Sequence, residues 1–153
     1  MLNFNNFMGC SEYVTILVSV DLESKSGEFI FERIFKIEDY SDWWHLPVTV
    51  IDFDNRILKF TPIPFIEIFW KQRYDASSKE IICDYIKGPL VGFGIWQISV
   101  DNNSNKMSIS YEIKVKGINM IFDMLLRTFI FKYKHSKDIL RIIQKASESN
   151  TIV

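Results

Sequence analysis

Cysteine is nearly absent from this chain. Cys10 and Cys83 are the only two, and neither stands in a Cys-x-x-Cys or zinc-ligand spacing, which excludes a disulfide framework and a thiolate metal site. Histidine is as scarce. His45 and His135 lie far apart with no Cys, Asp or Glu cluster at metal spacing, so both read as surface residues, and neither a metal nor another cofactor is expected. Long apolar runs are missing too. The richest, residues 118–131, covers 14 positions and contains Asp123 and Arg127, short of the ~20 apolar residues that a spanning helix needs. Residues 1–10 carry no Lys or Arg and interrupt their apolar residues with Asn3, Asn5 and Asn6, so a signal peptide is not expected. Together these absences point to a soluble protein of the reducing cytoplasm.

Neither sign of charge dominates, with 18 Lys and Arg against 19 Asp and Glu. Charged residues at 24% and apolar residues at 48% suit a folded chain, not a disordered one or a nucleic-acid magnet. The 153 residues suit one domain, large enough to bury about 70% of its unfolded surface. The charge is unevenly placed: residues 1–55 hold ten acids and three bases, and residues 56–153 nine acids and fifteen bases. The excess peaks between Arg127 and Lys145, where six bases face only Asp138. This stretch reads first as the wet side of an amphipathic helix, with weak peripheral membrane contact as a secondary expectation. No basic strand is interleaved with aromatics, so no nucleic-acid partner is expected.

What is present is a strongly patterned chain. Residues 13–20 alternate, with Val14, Ile16, Val18 and Val20 on one face of a strand. Ser26 reads as the N-cap of a helix in which Ile30 and Ile34 lie four apart and Glu32 pairs with Lys36. A second short helix fits residues 38–44. Six strands follow at 47–53, 56–61, 65–74, 80–86, 93–100 and 106–115, with Asp54-Asn55 as a turn pair tolerant of positive φ. From Gly117 to about Ala146 the chain reads as one long helix, apolar nearly all round in its first half.

This order predicts an α+β fold: a seven-stranded curved antiparallel sheet, two short helices after the first strand, and a long C-terminal helix over the concave face. A twisted sheet curls, and a straight helix across it leaves a gap. Residues 12–147 form the expected domain, with an extension at 1–11 and a tail at 148–153.

The local text resembles the START-like, or SRPBCC, superfamily and its helix-grip fold. Glu38-Asp39-Tyr40-Ser41-Asp42-Trp43-Trp44 is similar to the "D-x-x-x-W" segment that closes the second helix there. Gly88-Pro89-Leu90 followed by Phe93-x-Ile95-Trp96-x-Ile98 resembles the hairpin of the polyketide cyclase/dehydrase and coenzyme-Q-binding branch. Glu23-Ser24 stand where those families often have Ala-Pro. The resemblance spans roughly residues 12–147 and implies a cavity for a hydrophobic ligand such as a lipid, isoprenoid quinone or polyketide-like compound. The superfamily has no universal catalytic residues, so none is carried over.

Several residues are candidates for that cavity. Trp96 and Ile98 share a strand face, and Tyr111 stands on the apolar face of the next strand. Trp70, Gln72 and Tyr74 share another face, with Tyr85 on the neighbouring strand; the polar members are the few that orient a guest among many apolar ones. Trp44 flanks the mouth, and Met120, Phe122, Met124 and Leu125 complete the lining from the helix. Gly92-x-Gly94 is read as close packing or a bulge. Three functions stay open: a carrier of a hydrophobic small molecule, a cyclase, dehydratase or hydrolase using Tyr74, Tyr111, Asp84 or Gln72 in the same cavity, and an interaction adaptor with a filled core. Oligomeric state is left open.

Overall fold

Strand β1 (Val14–Glu23) buries Val14, Ile16 and Val18 and exposes their alternates, the period-two pattern of a sheet with one wet face. The computed structural model describes residues 12–101, 103–104 and 106–148. The expected extension 1–11, with Cys10, and all but the first residue of the tail 148–153 lie outside these.

Helix α1 (Ser24–Phe35) follows β1 without a loop and turns Ile30 and Ile34 into the core. It starts before the expected cap at Ser26, because Glu23, still extended, already occupies the cap position. The Glu32–Lys36 pair forms on its outer face at 2.9 Å. A 3₁₀ turn (Ile37–Asp39) leads into the short α2 (Tyr40–Trp43), which buries Tyr40 and Trp43.

Six strands then run back and forth: β2 (Val48–Asp52), β3 (Ile57–Ile63), β4 (Ile66–Asp75), β5 (Glu80–Lys87), β6 (Leu90–Asp101) and β7 (Lys106–Gly117). All pairs are antiparallel, in the order β1-β7-β6-β5-β4-β3-β2. The first strand therefore pairs with the last, from Val14 opposite Val115 to Glu23 opposite Lys106. Register shifts at Val50/Asp52, Phe60/Ile63 and Phe69/Trp70 add local twist. In the β2–β3 turn it is Arg56, at φ 54°, that takes the left-handed conformation expected of Asp54-Asn55. Asn55 instead donates from its backbone and side chain to the Asp52 carboxylate.

The expected single C-terminal helix is two helices, α3 (Met120–Leu126) and α4 (Phe129–Glu148). Asn119 caps α3 by accepting from Phe122 N. Thr128 makes the break: its hydroxyl donates to Leu125 O at 2.7 Å and accepts from Phe131 N, the local bonding that lets Thr end one helix and begin another. The second half of α4 buries Ile139, Ile142, Ile143 and Ala146. It packs chiefly on α1 and β1, and its first half lies over the rest of the concave face.

Candidate functional site

Under residues 131–142 of α4 lies a partly open cavity of about 110 Å³. The period-two faces of the sheet supply its floor: Phe60 and Pro62 from β3, Ile68 and Trp70 from β4, Cys83 and Tyr85 from β5. Leu90 and Trp96 of β6 and Tyr111 and Ile113 of β7 continue it. Helix α4 forms the roof with Phe131, His135, Ile139 and Ile142, residues three or four apart and hence on one face. Tyr40, Trp44 and Leu46 close the side. Eight of the 19 lining residues are Phe, Trp or Tyr, and most of the rest are aliphatic. Phe60 and Trp70 have ring centroids 4.6 Å apart, Trp96 and Tyr111 4.5 Å, and Tyr111 and His135 5.8 Å. Gly94 makes room for this packing, since a Cβ there would lie 2.1 Å from the Tyr111 hydroxyl oxygen.

Polar atoms are few and their states are set by burial. Tyr85 and Tyr111 place their hydroxyl oxygens 3.3 Å apart, and burial raises both pKa values well above the usual phenol range, so both stay protonated. Burial pushes the Cys83 thiol up to about 12, which removes it as a nucleophile. The His135 imidazole is held down at about 4 by burial and is neutral at physiological pH. Three nitrogens of lining residues, Trp44 Nε1, Trp70 Nε1 and His135 Nε2, are closed off from solvent and have no hydrogen-bond partner among the described residues. At the rim, Asp138 accepts from Lys134 Nζ at 2.8 Å and lies 3.4 Å from His45 Nε2. Burial outweighs that carboxylate and lowers the His45 pKa.

Of the residues read from the sequence, Trp44, Trp70, Tyr85, Trp96 and Tyr111 come together on this wall. Gln72 does not. It is 1% exposed and spends its amide on the end of α1, donating to Ile34 O at 2.9 Å and Tyr40 Oη at 3.0 Å while accepting from Arg56 Nη2. Tyr74 and Ile98 lie further along the sheet, where they line a separate shallow groove with Phe31 and Phe35 of α1. Met120, Met124 and Leu125 are exposed and Phe122 is half-buried away from the cavity, because the break at Thr128 uncouples α3 from the roof. Asp84 sits on the other sheet face, bonded to Arg73 at 2.7 Å. Both histidines expected at the surface are instead partly buried, His45 beside Asp138 of α4 and His135 against Tyr111. The spacing of Phe131, His135 and Ile139 is the sequence signal for the inward face of α4. Nothing in the sequence marks Phe60 or Cys83.

Among the described residues no three His, Cys, Asp or Glu side chains gather as a metal site, and no helix is long and apolar enough to cross a membrane. A curved antiparallel sheet gripping a C-terminal helix over an apolar hollow is the START-like, or SRPBCC, helix-grip fold, and this chain has it. No family model matches the sequence, and no curated protein does. Solved structures do. A START superfamily protein from Mycobacterium smegmatis is 14% identical at a TM-score of 0.68, over 90% of this chain and 99% of that one. The Zhui aromatase/cyclase of a Streptomyces species is 8% identical at 0.71, over 92% and 97%. A point mutant of norcoclaurine synthase from Thalictrum flavum, in complex with a transition-state analogue, is 13% identical at 0.61, over 91% and 98%. At these identities the likeness is one of fold.

Proposed function

We propose that the protein binds a compact, ring-bearing lipophilic molecule in the cavity under α4, with a carbonyl or similar acceptor on the ring. The observation that carries this reading is the apolar, aromatic-rich lining of the cavity, which includes Trp44 and Trp70, whose buried indole N–H groups have no partner among the described residues. A buried donor without an acceptor costs about 1–3 kcal/mol, and a guest carbonyl recovers that once a small rotation of either indole turns its N–H to the guest. The volume of about 110 Å³ is small beside the ~300–1,000 Å³ of drug-sized sites. It suits a quinone-like or polyketide-like ring, the remainder of the guest leaving by the open side, better than a coiled acyl chain.

Tryptophan fluorescence tests this directly, because Trp44, Trp70 and Trp96 all line the cavity. A small naphthoquinone should quench saturably, and a saturated fatty acid should compete poorly. Trp70→Phe keeps an aromatic face but removes the N–H with the pyrrole part of the indole, and should weaken quinone binding about fivefold to tenfold or more, one neutral hydrogen bond plus lost stacking area. Linear, non-saturating quenching would refute the reading.

One observation favours catalysis as a second reading. His135, a lining residue, carries an imidazole that burial keeps neutral at physiological pH, a proton acceptor of low basicity. The filled-core adaptor has no such support, since the hollow is the feature it lacks.

A further inference from the structure

Antiparallel register places the β3–β4 turn, the β5–β6 turn, the end of β7 and the start of β1 at one end of the sheet. Helix α3 is tied to that end, with Ile118 N donating to Pro89 O at 2.8 Å and Arg127 donating to Glu12 O at 2.5 Å. It is turned the opposite way from a core helix. Met120, Ile121, Met124 and Leu125 lie within one arc and all are exposed, Met120 at 78%, while Asp123 and Leu126 face inward. Phe129 at 79% and Ile130 at 76% continue the surface into α4, and Tyr133 stacks on Phe129 with centroids 6.2 Å apart. Across the cavity rim the β3–β4 turn adds Ile63 and the fully exposed Phe65. Contiguous exposed apolar surface on this scale marks an interaction site.

Charge identifies the partner. Lys87, Lys116, Lys132 and Lys137 stand at or just behind this end. Of the nearby acids, Glu12, Glu67, Asp123 and Asp138, the last three are ion-paired to Lys59, Arg127 and Lys134. The turns at the opposite end carry Asp52, Asp54, Asp75, Glu80 and Asp101 against Arg56, Lys79 and Lys106. An apolar tip collared by bases, with a far pole that is net acidic, fits a negatively charged bilayer. A second copy fits poorly, since a two-fold contact brings each lysine collar against itself.

We propose that this end docks on an anionic lipid bilayer, with α3 and the first turn of α4 seated at the headgroup–acyl boundary and Lys132 and Lys137 against the phosphates. Leu90, Pro62, Phe131 and Lys134, the rim of the cavity, border the same surface, so the docked protein opens its cavity toward the membrane. The docking does not depend on which molecule the cavity holds.

Flotation with vesicles of phosphatidylcholine, with and without phosphatidylserine, tests it on the full chain. The protein should float with the anionic vesicles, stay behind with the neutral ones, and be released by high salt. Met124→Ser with Phe129→Ser changes only exposed side chains and should lower the bound-to-free ratio about tenfold or more at unchanged circular dichroism. Lys132→Gln with Lys137→Gln should weaken binding and flatten its salt dependence. Failure to float with anionic vesicles would overturn the proposal, as would flotation that the serine pair leaves unchanged. So would a dimer that those serines dissociate in a protein that binds no vesicle.

Discussion

Replacing Cys83 by Leu asks the structure whether the space under α4 is hollow. Cys83 is buried on β5, opposite Gln72 and Gly94 in the two neighbouring strands, and faces the cavity. Its thiol is neutral, with a pKa near 12, so the exchange removes no charge. Leucine adds roughly two methylene-sized groups, each contributing ~0.8 kcal/mol when buried. A hollow of about 110 Å³ accepts that volume, and the variant should gain about 1 kcal/mol after loss of side-chain rotamer freedom. A fully packed core would instead lose about 1–3 kcal/mol to overpacking. The sign of the change therefore decides the matter. Urea unfolding supplies it, read as a shift in midpoint at constant slope. Naphthoquinone titration of the same variant should show affinity down tenfold or more, because the added atoms occupy the guest's space. A lower midpoint would refute the hollow, and a higher midpoint with unchanged quinone affinity would refute the cavity as the place where a guest sits.

Gln72→Leu should cost about 2–4 kcal/mol, since it strips a hydrogen bond from Ile34 O and from Tyr40 Oη and leaves the half-buried Arg56 guanidinium without its side-chain acceptor; a loss below ~1 kcal/mol in urea unfolding would show that the network contributes little. His135 makes stability fall in acid. Its folded pKa of about 4 lies below the ~6.5 of an exposed imidazole, so between those values the unfolded chain binds a proton that the folded chain refuses, and stability drops as pH falls from ~6.5 toward ~4. By about pH 5 the loss should be on the order of 2 kcal/mol, and His135→Leu should remove it; equal acid sensitivity in variant and parent would contradict the buried placement. In a catalytic protein that same variant would lose turnover while quinone quenching persisted.

Strand parity was legible because the chemistry of a half-buried sheet writes it into every second residue. Met107, Ile109, Tyr111, Ile113 and Val115 of β7 alternate with polar residues in the sequence and are buried in the fold. Parity does not say what roofs each part of an inward face. Trp70, Gln72 and Tyr74 share one side of β4, yet the C-terminal end of α1 covers Gln72 and packs its Phe35 on Tyr74, 5.5 Å between ring centroids. Only Trp70 of the three reaches the cavity. How far each helix extends over the sheet decides this, and that is a property of packing between elements distant in sequence.

The helical residues show how one hydroxyl redirects a whole surface. In an unbroken helix, Met120, Met124 and Phe131 are separated by near-integral numbers of turns and point the same way, so the two methionines would join Phe131 in the cavity roof. Thr128 interrupts that phase with its bonds to Leu125 O and Phe131 N. Gly117 then sets the new one. A Cβ on it would lie 2.1 Å from Asp123 N, so only glycine lets the Phe122–Asp123 backbone close against the end of β7, where Asp123 accepts from Gly117 N at 3.2 Å. With that side pinned inward, the methionine side has nowhere to face but out. Hydrophobic periodicity locates the stripe and is silent on its direction, because an apolar stripe suits a protein core and a lipid surface equally well. The exposed tip and the short aromatic roof over the cavity are thus two results of a single interruption at residues 127–128.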